Sequence, residues 1–292
     1  MASEILVYRF PCFLNKKSEI KNQKSKMERP MADFIRYTVE DKVAVLVIDH
    51  PPVNALNPQT LQELGEALDE LNANPAVKAI VITGGGQLAF IAGADLGVIG
   101  GIVKSRNLAE GTAMIELGQS VFNKIENSNK PIIAAINGVC LGGGLELAMA
   151  CHLRVCGDRA RLGQPEINLG IIPGWGGTQR LPRIVGAAKA TEMILTGDQI
   201  TAQQAMQLRL VNMVVPGGEV MRQAKGLAAK IANKSAVSVA AAMAAIRAGL
   251  DADLPDGLAA ERKQFDVVTA SDDALEGVSA FLEKREAKFS DK

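Results

Sequence analysis

Cysteine, histidine and tryptophan are scarce in this 292-residue chain, which has four Cys, two His and one Trp. Four cysteines (Cys12, Cys140, Cys151 and Cys156) spread over so long a sequence make no disulfide framework. With only His50 and His152 beside them they offer no zinc-like spacing either. The Cys151-His152 pair and Cys156 lie among apolar residues and read as core packing, so reduced thiols and no structural metal are expected. Net charge is also missing: 32 Lys plus Arg balance 32 Asp plus Glu. No net field therefore draws the chain toward nucleic acid or an anionic membrane surface. Long apolar runs are absent too. The best candidate, IIAAINGVCLGGGLELAMAC, is interrupted by Asn137, Glu146 and a glycine triplet, short of the roughly 18 apolar residues of a membrane span. A soluble protein is expected. The chain is 48% hydrophobic and 22% charged, which places it among ordinary globular proteins and outside the disordered or collagen-like classes.

Charge is uneven along the chain. Residues 1–30 hold seven Lys/Arg against three Asp/Glu, leaving 25 against 29 for the remainder. With no helical or strand period, this stretch is expected to be a disordered leader. A transit peptide is one alternative, although Glu4, Glu19 and Glu28 and the use of Lys over Arg count against it. A start codon upstream of Met27 or Met31 is another. A cytoplasmic location follows, or the mitochondrial matrix if the leader is a transit peptide.

From Phe34 the pattern turns to strands. FIRYTVE and VAVLVID are β-branched runs separated by Asp41-Lys42, which predicts a hairpin. PQTLQELGEALDELNAN places Leu61, Leu64, Leu68 and Leu71 at helical spacing. VKAIVITG reads as a buried strand, followed by the loop QLAFIAGADL and a helix from about Leu108 to Ile125. The strand PIIAAING, a glycine-started helix GGGLELAMA and the strand CHLRVCG continue the alternation. This βαβα order predicts an α/β fold with a mainly parallel sheet covered by helices. Beyond Leu181 the signal is helical almost throughout. No linker separates the parts, so residues 31–200 and the helical region 201–292 are expected to form one folding unit.

Three segments could carry chemistry. In GVCLGGGLELAMA, Gly142, Gly143 and Gly144 follow a buried strand and open an apolar helix, so either something approaches the backbone closely or helix and strand pack tightly there. The first turn of a helix offers unpaired N–H groups and a positive dipole end, which suits an oxyanion. Neither a Gly-Lys-Ser/Thr phosphate loop nor a dinucleotide GxGxxG pattern fits. Glu146 lies one turn further on among Leu145, Leu147, Ala148 and Met149, with no Lys or Arg three or four positions away. A carboxylate buried there has a raised pKa; the alternative is a partly exposed rim. Glu166, in RLGQPEINLGIIPGWGGTQRL, sits between Pro165 and Ile167, also without an adjacent cation. Two carboxyls in apolar settings suit the addition or removal of water beside a carbonyl, one taking a proton and the other giving one. The third segment is FIAGADL, where Gly93-Ala94 offers another N–H and two converging N–H groups make an oxyanion hole; Asp95 is alternatively the cap of the next turn.

Together these segments resemble the enoyl-CoA hydratase (crotonase) family. FIAGADL, NGVCLGGGLELAMACHLRV, GQPEINLGIIPGWGGTQRLPRIVG and EGVSAFLEKREAKF occur in family order, and the likeness runs from about Phe34 to Phe289. The resemblance implies a crotonase-like spiral of ββα units with a helical C-terminal trimerisation region, and is strongest to short-chain enoyl-CoA hydratases. It implies that the N–H groups of Ala94 and Gly143 hold a thioester oxygen, that Glu146 is the base on a water, and that Glu166 delivers a proton to Cα. Ala92, Asp95, Leu96, Gly142, Trp175, Phe265 and Lys284 fall at positions for substrate and coenzyme A, with Lys284 reaching a neighbouring subunit's ligand. Many members carry a Lys where this chain has Gly97. The implied partner is an acyl-CoA thioester, with no cofactor beyond the coenzyme A of the substrate, and the implied assembly is a homotrimer or a hexamer of two trimers. Alternatives within the family are 3,2-enoyl-CoA isomerisation and carnitinyl-CoA dehydration. One branch resembles an RNA-binding hydratase with a lysine-rich first helix. Here that helix has no Lys or Arg and carries Glu63, Glu66, Asp69 and Glu70, so nucleic-acid binding is disfavoured.

Overall fold

Three strands open the chain in the computed structural model, which describes residues 27–28, 32–250 and 252–292. They are β1 (Met27–Glu28), β2 (Ile35–Glu40) and β3 (Val43–Ile48). Of the expected leader, Met27 and Glu28 pair with Val39 and Thr38 of β2; the rest lies outside the described residues. The β2–β3 hairpin turns on Asp41 and Lys42, at φ 49° and 69°. Two left-handed residues in a two-residue loop match the twist of the strands they join.

There follow α1 (Pro58–Ala73), β4 (Ala79–Gly84), β5 (Ala89–Ile91), α2 (Leu96–Ser105), α3 (Leu108–Glu126), β6 (Ile132–Ile136), β7 (Val139–Leu141), α4 (Gly143–Ala150), β8 (Leu153–Gly157) and β9 (Arg161–Gly163). After a 3-10 turn at Pro165–Leu169 come α5 (Gly177–Val185), α6 (Ala187–Thr196), β10 (Ile200–Thr201), α7 (Ala202–Gln207), β11 (Met213–Val215), α8 (Val220–Ala232), α9 (Ala236–Leu250), α10 (Leu254–Thr269) and α11 (Asp272–Leu282). No described helix is long and apolar enough to cross a membrane.

Seven strands form one sheet in the order β1-β2-β3-β4-β6-β8-β11, parallel from β3 to β11. Both of its faces are covered. Ile80 and Ile82 of β4 enter a core with Leu61, Leu64 and Leu68 of α1 and Phe122 of α3. Ala79 and Val81 of the same strand face Val220, Ala224, Ala228 and Ala232 of α8. Those α8 residues recur every four positions and so share one helix face. Burial on two sides explains why VKAIVITG and PIIAAING read as continuous apolar runs without alternation. The three buried cysteines, Cys140, Cys151 and Cys156, are free thiols. Burial pushes Cys151 and Cys156 up to about 12, so they stay protonated packing groups.

A second sheet has the order β10-β9-β7-β5. In it β5, β7 and β9 run parallel to one another. Each has three residues, too few for a period-2 signal, and the sequence reading passes over them. It also takes the region beyond Leu181 as almost wholly helical. The structure adds β10, and β11, which pairs with β8 and completes the large sheet from within the C-terminal region. The chain end is pinned to that sheet: Lys78, buried at the start of β4, donates to Asp291 Oδ1 at 2.7 Å and to the Lys234 carbonyl at 2.6 Å.

Candidate active site

The small sheet decides where the chemistry is. Because β5, β7 and β9 are parallel neighbours, their C-terminal ends share one edge, the usual ligand side of parallel strands. The residues that follow them are Ala92-Gly93-Ala94, Gly142-Gly143 and Gln164-Pro165-Glu166. All three segments the sequence singles out therefore meet. A cavity of about 880 Å³ opens there, lined by Ala92, Ala94, Leu96, Gly142, Gly143, Glu146, Glu166 and Trp175 among others. Its size falls within the range of small-molecule sites.

The two readings of the glycine triplet divide among its members. Gly144 is a packing glycine, since a Cβ there would collide with the Ile91 carbonyl at the end of β5. Gly142 has φ +53° and ψ −126°, and a Cβ on it would sit 2.8 Å from Glu166 Oε1. Only glycine suits that backbone and lets the carboxylate approach. Gly143 is the first residue of α4, in the turn whose N–H groups lack intrahelical partners. The Ala94 nitrogen is 3.7 Å from where a Gly143 Cβ would lie. Ala94 forms a parallel bridge with Leu56, closed by the N–H groups of Leu56 and Asp95. That bridge does not consume the Ala94 N–H.

Glu146 is 2% exposed, so the rim alternative does not hold. Its Oε1 accepts from the Trp175 N–H at 2.8 Å and the Gly177 N–H at 2.7 Å. Burial pushes the carboxyl up to about 7, against the pull of those two N–H groups; Glu166 raises it further and Arg180 lowers it. Glu166 is likewise pushed up by burial to about 7. Two carboxyls that share a cavity and titrate near neutrality fit a division into base and acid.

Two supporting residues escape the sequence reading. Gln164, fully buried, sets its side-chain amide against the Glu166 carboxyl. Its signal is faint: a polar residue two places before the acid. Arg180 on α5 spans the loop that holds Glu146. Its guanidinium donates to the Trp175 carbonyl at 3.0 Å, to Asn123 Oδ1 at 2.8 Å and to Glu126 Oε2 at 2.6 Å on α3. Gly176, at φ +109°, leaves the space that this guanidinium fills. Arg180→Met removes both the clamp and a nearby cation that favours ionised Glu146. Turnover at this site is expected to fall roughly tenfold to a hundredfold, and the acid limb of its pH profile to move upward. An unmoved acid limb would separate Arg180 from Glu146.

The other sequence candidates divide. Trp175 lines the cavity and also fills the core: its Nε1 donates to the Met114 carbonyl at 3.2 Å and its ring meets Phe122 edge-on at 5.8 Å. Ala92, Leu96 and Gly142 line the cavity. Asp95 does not; its carboxylate caps α2 by accepting from Gly97 N–H at 2.7 Å and Val98 N–H at 3.2 Å. Phe265 is exposed on α10 against α9, and Lys284 is exposed just past α11. Neither lines the cavity within one chain.

Two mainly parallel sheets, with a cavity holding a pair of acids at the edge of the smaller one, define a crotonase-type fold. The comparisons with known proteins agree. Residues 38–292 match the family described as Enoyl-CoA hydratase/isomerase, and the chain belongs to that family. It is 43% identical over 254 residues to a crotonyl-CoA hydratase of Syntrophomonas wolfei, covering 87% of this chain and 96% of that protein. It is 41% identical over 251 residues to a 2,3-dehydroadipyl-CoA hydratase of Escherichia coli, covering 86% and 96%. A crystal structure of an enoyl-CoA hydratase from Bacillus anthracis superposes with TM-score 0.83 at 35% identity, over 91% of this chain and 99% of that one.

Proposed function

We propose that this chain is an enoyl-CoA hydratase, adding water across the 2,3 double bond of a 2-trans-enoyl-CoA to give a 3-hydroxyacyl-CoA. One observation carries the reading: buried Glu146 and half-buried Glu166 line the same cavity as Ala94 and Gly143, residues that three different segments bring together. Ionised Glu146 takes a proton from water as the hydroxide adds to C3. The displaced electron pair moves to the thioester oxygen, where the Ala94 and Gly143 N–H groups hold the enolate. Glu166, protonated, returns a proton to C2. The hydroxide of the water and the proton of Glu166 end on the product, Glu146 keeps the other water proton, and exchange of one proton with solvent at each acid restores the pair; the thioester itself supplies the electron withdrawal. The two N–H groups on Glu146 Oε1 favour its carboxylate, which supports the base role for Glu146 over Glu166.

Isomerising a 3-enoyl to a 2-enoyl thioester needs one proton shuttle and no held water, so a pair of acids favours hydration. Product analysis on crotonyl-CoA, a 3-enoyl-CoA and carnitinyl-CoA tests this. Hydration of crotonyl-CoA at the highest kcat/KM is expected; faster conversion of either other thioester refutes it. With Glu146 taking a proton below pH 7 and Glu166 losing one above it, the profile should be bell-shaped about neutrality.

The assembly we propose is a homotrimer or a pair of trimers. Supporting it, α10 has no buried residue, and Leu254, Phe265, Leu275 and Phe281 on α10 and α11 are exposed. In such an assembly Phe265 and Lys284 would reach the coenzyme A of a neighbouring subunit.

A further inference from the structure

The cavity has no cation among the described residues that line it. Its apolar wall comes from Ile99, Ile102 and Val103 on α2, Met114 and Ile115 on α3, and Ile172 in the loop after the 3-10 turn. These segments close on one another: a Cβ on Gly111 would sit 3.3 Å from Ile102 Cγ2, and one on Gly174 would collide with Ile115 Cδ1. The ionisable side chains lining the cavity are Glu146 and Glu166, both acids, with Gln119, Thr178 and Gln179 as its other polar side chains. The nearby guanidinium, Arg180, is committed to Glu126, Asn123 and the Trp175 carbonyl.

We propose that the site selects enoyl thioesters with an uncharged aliphatic tail and excludes those whose acyl chain ends in a carboxylate. This rests on the hydratase reading and narrows its substrate class. An alkyl tail gains from the Ile, Val and Met wall, about fourfold in binding for each further methylene buried. Val103 and Ile172 form an exposed rim, whereas Met114 is buried and Ile99, Ile102 and Ile115 are half-buried; a carboxylate seated against those four gives up much of its water, meets no cation among the described lining residues and shares a cavity with two acids. Desolvating an unpaired ion is expected to lower kcat/KM by at least about a hundredfold. The relative named for 2,3-dehydroadipyl-CoA, at 41% identity, makes the distinction a real one within this family.

The test compares trans-2-hexenoyl-CoA, 2,3-dehydroadipyl-CoA and the methyl ester of the latter on the intact protein, with crotonyl-CoA as reference. The first two share a six-carbon acyl chain and differ at its far end, methyl against carboxylate. The ester keeps the bulk and removes the charge. Hexenoyl-CoA is expected to exceed dehydroadipyl-CoA by about a hundredfold or more in kcat/KM, and the ester to come within about tenfold of hexenoyl-CoA. Comparable turnover of the acid and the alkyl chain overturns the proposal. So does an ester rejected as strongly as the acid, since length would then be the discriminator. Failure to hydrate crotonyl-CoA as well would refute the hydratase reading itself, a different pattern from either.

Discussion

Glu146→Gln is expected to abolish crotonyl-CoA hydration by at least about a thousandfold while leaving the protein folded, and Glu166→Gln to lower it to a similar degree. General acid or base assistance contributes roughly a hundredfold to ten-thousandfold, and each step here depends on one acid. The amide is a strict control at position 146. Its oxygen still accepts the Trp175 and Gly177 N–H groups that meet Glu146 Oε1 at 2.8 and 2.7 Å, so the loop stays in place and only the proton chemistry is lost. Stability provides an independent readout. Burial raises the Glu146 carboxyl from an ordinary 4.5 to about 7. Its contribution to stability is therefore full below about pH 4.5 and lost as the pH rises through 7. At pH 8 the folded chain holds a buried carboxylate at a cost, and Glu146→Gln should melt no lower than the parent. Steady-state kinetics and thermal melts at pH 8 check both. Near-normal turnover in both variants would end the two-acid mechanism; a large drop in melting temperature for Glu146→Gln would show that the carboxylate is structural.

Gly143→Ala is the second large effect expected. A methyl group there would sit 2.5 Å from Trp175 Cζ3, inside the van der Waals boundary of a 3%-exposed indole. That indole has little freedom, because its Nε1 is tied to the Met114 carbonyl and its ring lies against Phe122. Either α4 moves its first N–H away from the Ala94 nitrogen, or Trp175 withdraws and takes its N–H from Glu146. Loss of one oxyanion donor costs about a hundredfold to a thousandfold in kcat, and displacing the base adds to it. The fall should appear in kcat far more than in KM, because the oxyanion contact strengthens only as charge develops. Parental kcat in a folded Gly143→Ala protein would remove that N–H from the mechanism.

Much of the fold was legible. The Asp41-Lys42 hairpin, the helix over Pro58–Ala73 and the strands at 79–84, 132–136 and 153–157 all announce themselves through runs long enough to show a period or a buried core. The three short strands at 89–91, 139–141 and 161–163 do not, since three residues carry no periodicity and their pairing is wholly non-local. Asp95 carries two expectations, substrate contact and helix cap, and the structure displays the second. Its place in a shared motif suggests contact with substrate, whereas the turn geometry uses the carboxylate to cap α2.

The sequence by itself determined the chemical inventory: two acids in apolar surroundings, a glycine triplet at a helix start, a small-residue loop, and no surplus of either charge. Those follow from residue type and near-neighbour spacing, which a linear chain displays. Tertiary structure alone decided that the pieces belong to one site. Parallel pairing of β5, β7 and β9 brings Ala94, Gly143 and Glu166 to a common edge, and the loop at Trp175–Gly177 then closes over Glu146. Parallel strands meet only through long crossovers, so their register comes from packing across the whole molecule and leaves no local mark in the sequence.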